Sequence, residues 1–355
     1  MSHLPEPRGA AAIYAFTPQG LLLAQRLCAA LDADIHVPKL LATETGAHAF
    51  SSLGELLAET FSAYPRHIFI SAAGIAVRAV APHLRDKDRD PAVVVVDQAG
   101  QYAVSLLSGH LGGANNLARQ VAALLGGQAV ISTATDVAGL PALDELAKRL
   151  GLRLNDLEPA KHVSAALLRG ERPQLFDPKE LLADSAAHFD RVRDPATWNP
   201  ERPGAWVHWT VAPQGALGLH PPCLFAGLGC RKGAPATELL ELLHSGLEQA
   251  GLARESLAGL ASIEAKRDEP GLLRMAAELQ LDIIFFAPQE LGRVSTPSPS
   301  AMVRKHMGVD SVCEAAAILA SGNGTLILGK TKSARATLAV AASAWSDSDR
   351  ADRNI

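Results

Sequence analysis

The sequence has few of the features that mark membrane-spanning or secreted proteins. Only four of its 355 residues are cysteines, and these are dispersed without a CxxC pair, so neither a structural zinc site nor a redox pair is expected. Its apolar runs, such as residues 92–96, are of strand length and fall well short of the roughly 20 residues that a membrane helix needs. The first residues lack the charged and then apolar layout of a signal peptide. These absences predict a cytoplasmic protein that does not enter a membrane.

The chain also lacks a large excess of charge of one sign. The formal net charge is −4, and the basic residues are scattered without the stripe that binds nucleic-acid phosphates, so nucleic acid is not an expected partner. A composition of 48% hydrophobic and 20% charged residues is typical of a folded globular chain. A length of 355 residues exceeds what one core serves and predicts two or three domains.

The order of apolar segments predicts an α/β fold with several domains. In residues 1–137, short apolar runs alternate with amphipathic stretches, which is typical of parallel-type sheets covered by helices. Residues 138–222 are less regular and are predicted to form a smaller middle domain. Residues 223–345 return to α/β order as a C-terminal domain, and the polar residues 346–355 are predicted to be a disordered tail.

Local signals refine the first domain. Ser52 and Glu55 form a capping box before a helix, and residues 97–101 predict a hairpin loop, since Gly100 tolerates a positive φ. Residues 73–74 predict a sharp turn after a strand. Residues 133–136 predict a loop after a short strand.

A Gly-rich segment after a predicted strand and before a predicted helix carries the strongest chemical signal. Such a layout directs backbone N–H groups and a helix dipole toward an anion. The predicted binding residues are Ser108, Gly109, Gly112, Gly113, Asn115 and, in the later loop, Thr135. His110 adds a titratable group. The alternative is that the glycines serve tight helix–sheet packing and that His110 caps a helix.

A second Gly-rich turn is predicted at residues 227–233, between a strand and a helix. There, Gly229 is predicted to contact a ligand, and Arg231 and Lys232 are predicted to pair with carboxylates or phosphates. The GxGxxxG spacing differs from the dinucleotide fingerprint GxGxxG, so a nucleotide site has little support. Cys230 is predicted to be a buried, inert thiol.

Four further residues are weaker candidates for ligand contacts. Gly74 and Arg78 follow a strand at its carboxyl end, where ligands bind in open sheets, although a solvated surface explains Arg78 equally well. Lys266 is either a ligand contact or an exposed lysine, and Ser298 lies in a hydroxyl-rich stretch that is either an ordered loop or a linker.

The motifs around these residues resemble one known family. The run from Gly74 to Asp97, the segment from Leu106 to Asn115 and the sequence Thr133-Ala-Thr-Asp136 resemble the cobalt-precorrin-5A hydrolase (CbiG) family of anaerobic cobalamin synthesis. The resemblance continues through residues 155–176 into a C-terminal part. That part is marked by residues 227–233, 262–266, 297–298 and 309–317 and by Lys330.

The resemblance implies a hydrolase that acts on a cobalt-containing tetrapyrrole. Water opens the ring-A δ-lactone of cobalt-precorrin-5A, and a two-carbon unit leaves as acetaldehyde to give cobalt-precorrin-5B. The cobalt arrives with the substrate, so no cofactor or metal ligand of the protein itself is expected. Neighbouring cobalamin-pathway enzymes are the expected protein partners. The substrate is a flat polyanion, which suits anion-receiving turns with Arg and Lys.

The roles of the residues follow from the chemistry of lactone opening. His110 is predicted to act as general base or acid, with the backbone N–H groups of Gly112 and Gly113 at the oxyanion. Axial ligation of the substrate cobalt is a second role open to His110. The water-activating alternatives are Asp97, Asp136, His83 and His162. Two functions without this chemistry stay open, a corrinoid-binding or carrier module and a nucleotide-binding protein.

Overall fold

The computed structural model describes residues 9–42, 46–86, 89–110, 112–298 and 311–344. The chain divides into two compact units, Met1–Glu145 and Leu146–Ile355, called unit 1 and unit 2 below. The sheets of both units are mixed and carry helices, so the predicted α/β class is confirmed. The three domain boundaries drawn from the sequence stay a prediction, and the tail predicted to be disordered lies outside the described residues.

Unit 1 is built on one seven-stranded sheet. Its strands are β1 (Ala11–Ala15), β2 (Ala33–Pro38), β3 (His48–Phe50), β4 (Arg66–Ile70), β5 (Ala92–Val96), β6 (Tyr102–Leu107) and β7 (Gln128–Val130). Its helices are α1 (Pro18–Leu31), α2 (Leu53–Thr60), α3 (Ala73–Val80), α4 (Ala114–Leu125) and α5 (Ala134–Val137). A further helix, α6 (Leu143–Arg149), contains the division between the units.

The strand order β3-β2-β1-β4-β5-β6-β7 contains one reversal of direction. The first five strands of this order run parallel, β6 runs antiparallel to β5, and β7 runs parallel to β6. Carboxyl ends of strands therefore lie at two opposite ends of the sheet. We call the edge where β1, β4 and β5 end the β5 edge, and the opposite edge, where β6 and β7 end, the β6 edge.

Strand β5 is a continuous apolar run because the sheet is covered on both faces at this strand. All five residues of β5 are buried, and alternate residues enter different cores. Val94 and Val96 pack with Leu27 of α1 and Leu117 of α4, whereas Val93 packs on the other face. Strands covered on both sides read as continuous apolar runs, because no side chain faces water.

Unit 2 contains two five-stranded sheets. The strands of the first are β8 (Arg153–Leu154), β9 (Gln174–Phe176), β10 (Asp190–Arg191), β11 (Gly204–Val207) and β12 (Leu217–His220), in the order β10-β9-β11-β12-β8. The strands of the second are β13 (Leu224–Cys230), β14 (Leu257–Ile263), β15 (Ile283–Phe286), β16 (Thr325–Lys332) and β17 (Ala336–Ala342), in the order β15-β14-β13-β17-β16. The helices are α7 (Glu158–Leu168), α8 (Ala236–Gln249), α9 (Pro270–Leu279), α10 (Pro288–Leu291) and α11 (Val312–Ala320).

The predicted turn at residues 227–233 is wrong in its first half. Strand β13 continues to Cys230, and Gly227 lies inside it, where an added Cβ would run into the carbonyl oxygen of Cys313 on α11. The glycine is therefore required for close packing of a helix on a strand, and the turn itself is limited to the residues after Cys230. Strand β17 lies antiparallel beside β13, the central strand of the sheet, a pairing that local sequence does not signal.

Two smaller predictions in unit 1 are also corrected. Residues 73–74 begin helix α3 rather than forming a sharp turn, and residues 134–137 form the single-turn helix α5 rather than an open loop. The hairpin at residues 97–101 is confirmed, with Gly100 at φ +69°. The Ser52 cap is confirmed as well, since its hydroxyl accepts the N–H of Glu55.

Candidate active site

The β6 edge brings the two predicted loops of unit 1 together. Because β6 and β7 run parallel, the segment after Leu107 and the segment after Val130 leave the sheet at the same edge. The first segment holds Ser108 to Gly113, and the second holds Thr135 and Asp136. Loops from neighbouring parallel strands place their side chains within reach of each other, which the contacts of His110 demonstrate.

His110 lies between two carboxylates. Its Nε2 lies 3.2 Å from Asp136 Oδ2 and 3.3 Å from Thr135 Oγ1, and its Nδ1 lies 3.8 Å from Asp144 Oδ2. The imidazole is 24% exposed, so water or substrate can reach it. A hydrogen bond to a carboxylate fixes the orientation of an imidazole, and the nearby negative charge stabilises the imidazolium that forms when it takes a proton.

Asn115 holds Asp136 in place. It is fully buried at the start of α4, where its Oδ1 accepts a hydrogen bond from Ser105 at 2.7 Å. Its Nδ2 donates to Thr133 Oγ1 at 3.2 Å and to Asp136 Oδ2 at 2.9 Å. Every polar atom of this amide is used, as a buried polar group requires. Asn115 therefore acts on the site through Asp136 rather than as a surface donor to a ligand.

Three N–H groups at the end of the Gly-rich segment are used within the segment itself. The N–H groups of Gly113, Ala114 and Asn115 donate to the carbonyls of His110, Ser108 and Gly109, respectively. Gly113 has φ +85° and caps α4. The loop is thus wound tightly on itself, and its geometry positions the His110 imidazole. The packing interpretation fits Gly109 and Gly112, where an added Cβ would meet Asn115 and Ser108, whereas Gly113 is explained by its positive φ.

Ser108 is an exception to the satisfied hydrogen bonding of this loop. It adopts φ +57°, a left-handed conformation that is strained for a serine. Its Oγ is buried and has no hydrogen-bond partner among the described residues. Its Cβ and carbonyl oxygen leave no room for a side chain on Gly112. Strained residues with unused polar groups are common at functional sites.

Three side chains at the β6 edge were not predicted from the sequence. Arg119 donates to Asp136 Oδ1 at 2.5 Å, and Asp144 faces His110 from the start of α6. Glu145 follows it, with a buried Oε1 that has no partner in the described part of the chain. Burial raises the pKa of the Glu145 carboxyl, and the charges of Asp136 and Asp144 raise it further, against His110 and Arg119. Arg119 could have been found, because it lies one helical turn after Asn115.

Several sequence candidates lie elsewhere. Asp97 is in the hairpin at the β5 edge, separated from Ser108 by the length of β6, about 20 Å at the usual rise per residue. Its two carboxylate oxygens accept the N–H groups of Ala99 and Tyr102, which gives it a role in the turn. Gly74 also lies at the β5 edge, and the exposed Arg78 donates to its carbonyl at 3.1 Å. The reversal at β6 is the reason that these residues are not grouped with His110.

The remaining histidine candidates do not join the His110 cluster in the recorded contacts. His83 follows α3, and its ring lies 5.7 Å from that of Phe61. His162 is exposed on α7 in unit 2.

Unit 2 contains a second group of predicted residues, gathered at a basic pocket. This cavity of about 310 Å³ is lined by Gly229, Cys230, Ile263, Val312, Ser333, Ala334, Ala336, Thr337 and five cationic side chains, Arg231, Lys266, Lys330, Lys332 and Arg335. Gly229, Arg231 and Lys266 were predicted as ligand contacts, whereas Lys332 and Arg335 were not, because they come from the hairpin of β16 and β17. Burial raises the pKa of the Cys230 thiol to about 11, so the thiol is uncharged and inert at neutral pH.

Two other predicted residues lie next to the basic pocket rather than in its lining. Lys232 is exposed in the turn after β13. The Ser298 N–H donates to Glu314 Oε2 at 3.2 Å, and the other oxygen of this buried carboxylate accepts the N–H of Lys330 at 3.1 Å. Ser298 is therefore in an ordered contact at its backbone, close in the structure to Lys330.

No helix in the described ranges has both the length and the apolar character needed to cross a membrane. In the same ranges, no group of three or more His, Cys, Asp and Glu side chains is arranged to hold a metal ion.

Comparison with known proteins gives matches along most of the chain. Three family models match in sequence order, the N-terminal region of cobalamin synthesis protein G at residues 55–136, the central region at 141–221 and the C-terminus at 224–341. Cobalt-precorrin-5A hydrolase of Salmonella typhimurium is 36% identical over 340 residues, which cover 90% of this chain and 93% of that protein. The Priestia megaterium protein of the same name is 34% identical and is matched over 82% of each chain.

A solved structure also matches most of the chain. The cobalamin biosynthesis protein G homolog from Sulfolobus solfataricus is 21% identical, with a TM-score of 0.36, and the match covers 95% of this chain and 98% of that one.

The fold and the order of the matched regions place the chain in a class of multi-domain α/β proteins of cobalamin synthesis. It belongs to the cobalt-precorrin-5A hydrolase (CbiG) family, as its sequence motifs indicated. The protein is accordingly a hydrolase of cobalamin synthesis.

Proposed function

We propose that the protein hydrolyses the ring-A δ-lactone of cobalt-precorrin-5A and releases acetaldehyde to give cobalt-precorrin-5B. The observation that supports this chemistry is the His110 imidazole, partly exposed and held by Asp136, in a protein of the cobalt-precorrin-5A hydrolase family. Lactone opening requires a proton acceptor for the attacking water, and an oriented imidazole is suited to that task.

The two ring nitrogens of His110 have different tasks. Nε2–H donates to Asp136 Oδ2 and fixes the ring, which leaves Nδ1 as the atom that takes the proton from water. The separation of 3.8 Å between Nδ1 and Asp144 Oδ2 is too long for a direct hydrogen bond, so Asp144 does not occupy the Nδ1 lone pair. Asp144 then stabilises the imidazolium. Because both nitrogens face carboxylates, we favour acid–base catalysis over axial ligation of the substrate cobalt.

The bonds change as follows. The water oxygen attacks the lactone carbonyl carbon, the acyl C–O bond breaks, and the ring-A acetate is formed as a carboxylate. The released alkoxide becomes the carbonyl of acetaldehyde when its carbon–carbon bond to the macrocycle breaks, and the macrocycle takes up the electron pair and a proton. We assign the oxyanion of the first step to the N–H of Gly112, because the N–H of Gly113, the other predicted donor, already donates to the His110 carbonyl.

We expect cobalt to arrive with the substrate and no resident cofactor to be required. The cytoplasmic location and contact with neighbouring cobalamin-pathway enzymes stay predictions.

The test measures acetaldehyde released from cobalt-precorrin-5A by the purified full-length protein. We expect His110→Ala to lower turnover by about 100-fold or more, the usual contribution of a general base. The matched control is His244→Ala, since His244 is exposed on α8 in unit 2 and its loss should leave turnover unchanged. Release of acetaldehyde by His110→Ala at the wild-type rate would contradict the assignment.

Three measurements distinguish the proposed function from the other functions. A protein that binds the substrate without releasing acetaldehyde would be a carrier, and a thermal shift with nucleotide would indicate a nucleotide-binding protein. A change in the visible spectrum of the bound corrinoid on His110→Ala would support cobalt ligation instead.

A further inference from the structure

The basic pocket has an excess of positive charge that the fold itself does not use. Its lining includes five cationic side chains and no acidic one. Among the described residues, an ion pair is recorded for one of the five, Lys266, whose Nζ lies 3.1 Å from Glu269 Oε2. Like charges held together around one cavity repel each other, so such a group is stabilised when an anion binds.

The acidic side chains around the pocket are engaged in holding the backbone. Glu238 Oε1 accepts the Ser333 hydroxyl at 2.6 Å and the Arg335 N–H at 2.7 Å. Glu269 Oε1 accepts the N–H of Gly233 at 2.6 Å. These carboxylates fix the two turns that carry Arg231 and Arg335. The cations are therefore presented by an ordered frame, which lowers the entropy cost of binding.

The base of the pocket is uncharged. Ile263, Val312 and Ala336 are buried there, and the Cys230 thiol is neutral because burial raises its pKa. A volume of about 310 Å³ is at the small end of ligand pockets and holds part of a macrocycle rather than all of it. An apolar base with a cationic rim suits the edge of a flat ring that carries carboxylate arms.

We propose that the basic pocket of unit 2 binds the peripheral acetate and propionate carboxylates of the corrinoid substrate, with Lys330, Lys332 and Arg335 as contacts beside Arg231 and Lys266. The assignment rests on the proposed function for the identity of the macrocycle. It concerns affinity and not the chemical step, since none of these side chains belongs to the His110 cluster.

The test measures binding of two corrinoids to the full-length protein by equilibrium dialysis. The first probe is cobyrinic acid, which has free peripheral carboxylates, and the second is the same macrocycle with these groups converted to primary amides. Lys330→Glu and Arg335→Glu should each raise the Kd for cobyrinic acid about tenfold or more, because an attraction is replaced by a repulsion. Binding of the amide should change less than twofold.

The matched control is Arg274→Glu, since Arg274 is an exposed cation on α9 in the same unit and outside the pocket lining. It should leave both Kd values unchanged. Lys330→Gln and a thermal melt of each variant verify that a loss of binding is not a loss of folding. An unchanged Kd in Arg335→Glu, an equal effect on both probes, or tighter competition by inorganic phosphate than by cobyrinic acid would overturn the proposal.

Acetaldehyde release distinguishes this proposal from the proposed function. If the pocket binds carboxylates, His110→Ala loses turnover but retains its Kd for cobyrinic acid, whereas Arg335→Glu raises KM far more than it lowers kcat. A wild-type protein that releases no acetaldehyde contradicts the proposed function alone, provided that charge reversal still weakens binding. An Arg335→Glu variant that loses kcat with unchanged KM contradicts the pocket assignment alone.

Discussion

At the β6 edge, three side chains are connected because they donate hydrogen bonds to the same carboxylate, Asp136. This carboxylate accepts hydrogen bonds from His110, Asn115 and Arg119 at once. Because a buried amide and a guanidinium hold it from two sides, the imidazole has a fixed partner before substrate arrives. Such preorganisation is the physical basis of acid–base catalysis by an oriented histidine.

Of the residues of this cluster, the sequence predicted His110, Asp136, Asn115 and Thr135, because each lies shortly after a predicted strand. It did not predict Asp144, whose place at the start of a helix is explained equally well by the helix dipole. Contact between Asp144 and His110 depends on the position of the first turn of α6 relative to the His110 loop, and no local sequence pattern encodes that position.

A substitution at Ser108 tests whether its strain serves function. Ser108→Gly relieves the left-handed conformation and removes a buried hydroxyl without a partner, so the free energy of unfolding of unit 1 should rise by about 1 kcal/mol. Turnover should fall, because glycine at this position loosens the loop that positions the His110 imidazole. Urea unfolding and acetaldehyde release measure the two effects.

The matched control is Ser52→Gly, since Ser52 caps α2 with φ −133° and has no strain to release. This change should lower stability by a few tenths of a kcal/mol. A drop in stability for Ser108→Gly would show that the hydroxyl has a stabilising partner.

At the scale of elements, the direction of β6 decides which loops form a site. The hairpin at Gly100 was visible in the sequence, and so was the strand that follows it. The consequence of an antiparallel β6, that its carboxyl end lies opposite the carboxyl ends of β4 and β5, removes Gly74, Arg78 and Asp97 from the His110 cluster. Ligands bind at the carboxyl ends of strands in open sheets. In a mixed sheet these ends lie on opposite sides, so the direction of each strand must be known before its loop is assigned to a site.

A glycine inside β13 tests the packing of α11 on the C-terminal sheet. Gly227→Ala places a Cβ against the backbone of Cys313 and Ala317, so helix and strand must separate. We expect the free energy of unfolding of unit 2 to fall by about 3 kcal/mol, in the upper range for an overpacked core. Tryptophan fluorescence during urea unfolding measures it, because all four tryptophans lie in unit 2.

The matched control for Gly227→Ala is Gly54→Ala, which lies in unit 1. Gly54 lies in α2, and an added Cβ there meets nothing closer than the Ser52 Oγ at 4.0 Å. Alanine is favoured over glycine in a helix, so the free energy of unfolding should rise by about 0.5 to 1 kcal/mol. A loss of stability from Gly54→Ala as large as that from Gly227→Ala would rule out packing as the cause.

At the scale of the whole molecule, buried histidines make unit 1 sensitive to acid. Burial lowers the pKa of both His36 and His67 to about 4. The unfolded chain binds these protons below about pH 6.5, whereas the folded chain binds them only near pH 4. Between these values the unfolded state holds more protons, so stability rises with pH and falls on acidification from 6.5 to 4.

We expect the free energy of unfolding of unit 1 to fall by up to about 1.4 kcal/mol per pH unit for each histidine in this window. Near-ultraviolet circular dichroism of the three tyrosines follows unit 1, since all of them lie in it. His36→Phe should remove about half of the slope at little cost at pH 7.5, because neither ring nitrogen of His36 has a hydrogen-bond partner among the described residues. An unchanged slope would contradict the assignment.

The sequence by itself determined the α/β class, the order of most strands and helices, the family and the residue types of the site, because each depends on local periodicity, turn chemistry or motif. Only the tertiary structure decided that β17 completes the C-terminal sheet, that Gly227 belongs to a strand and that Lys332 and Arg335 join Arg231 in one pocket. It also separated Asp97 from His110 by the length of β6. The physical reason is that these features depend on strand direction and on contacts between distant segments, which local patterns do not encode.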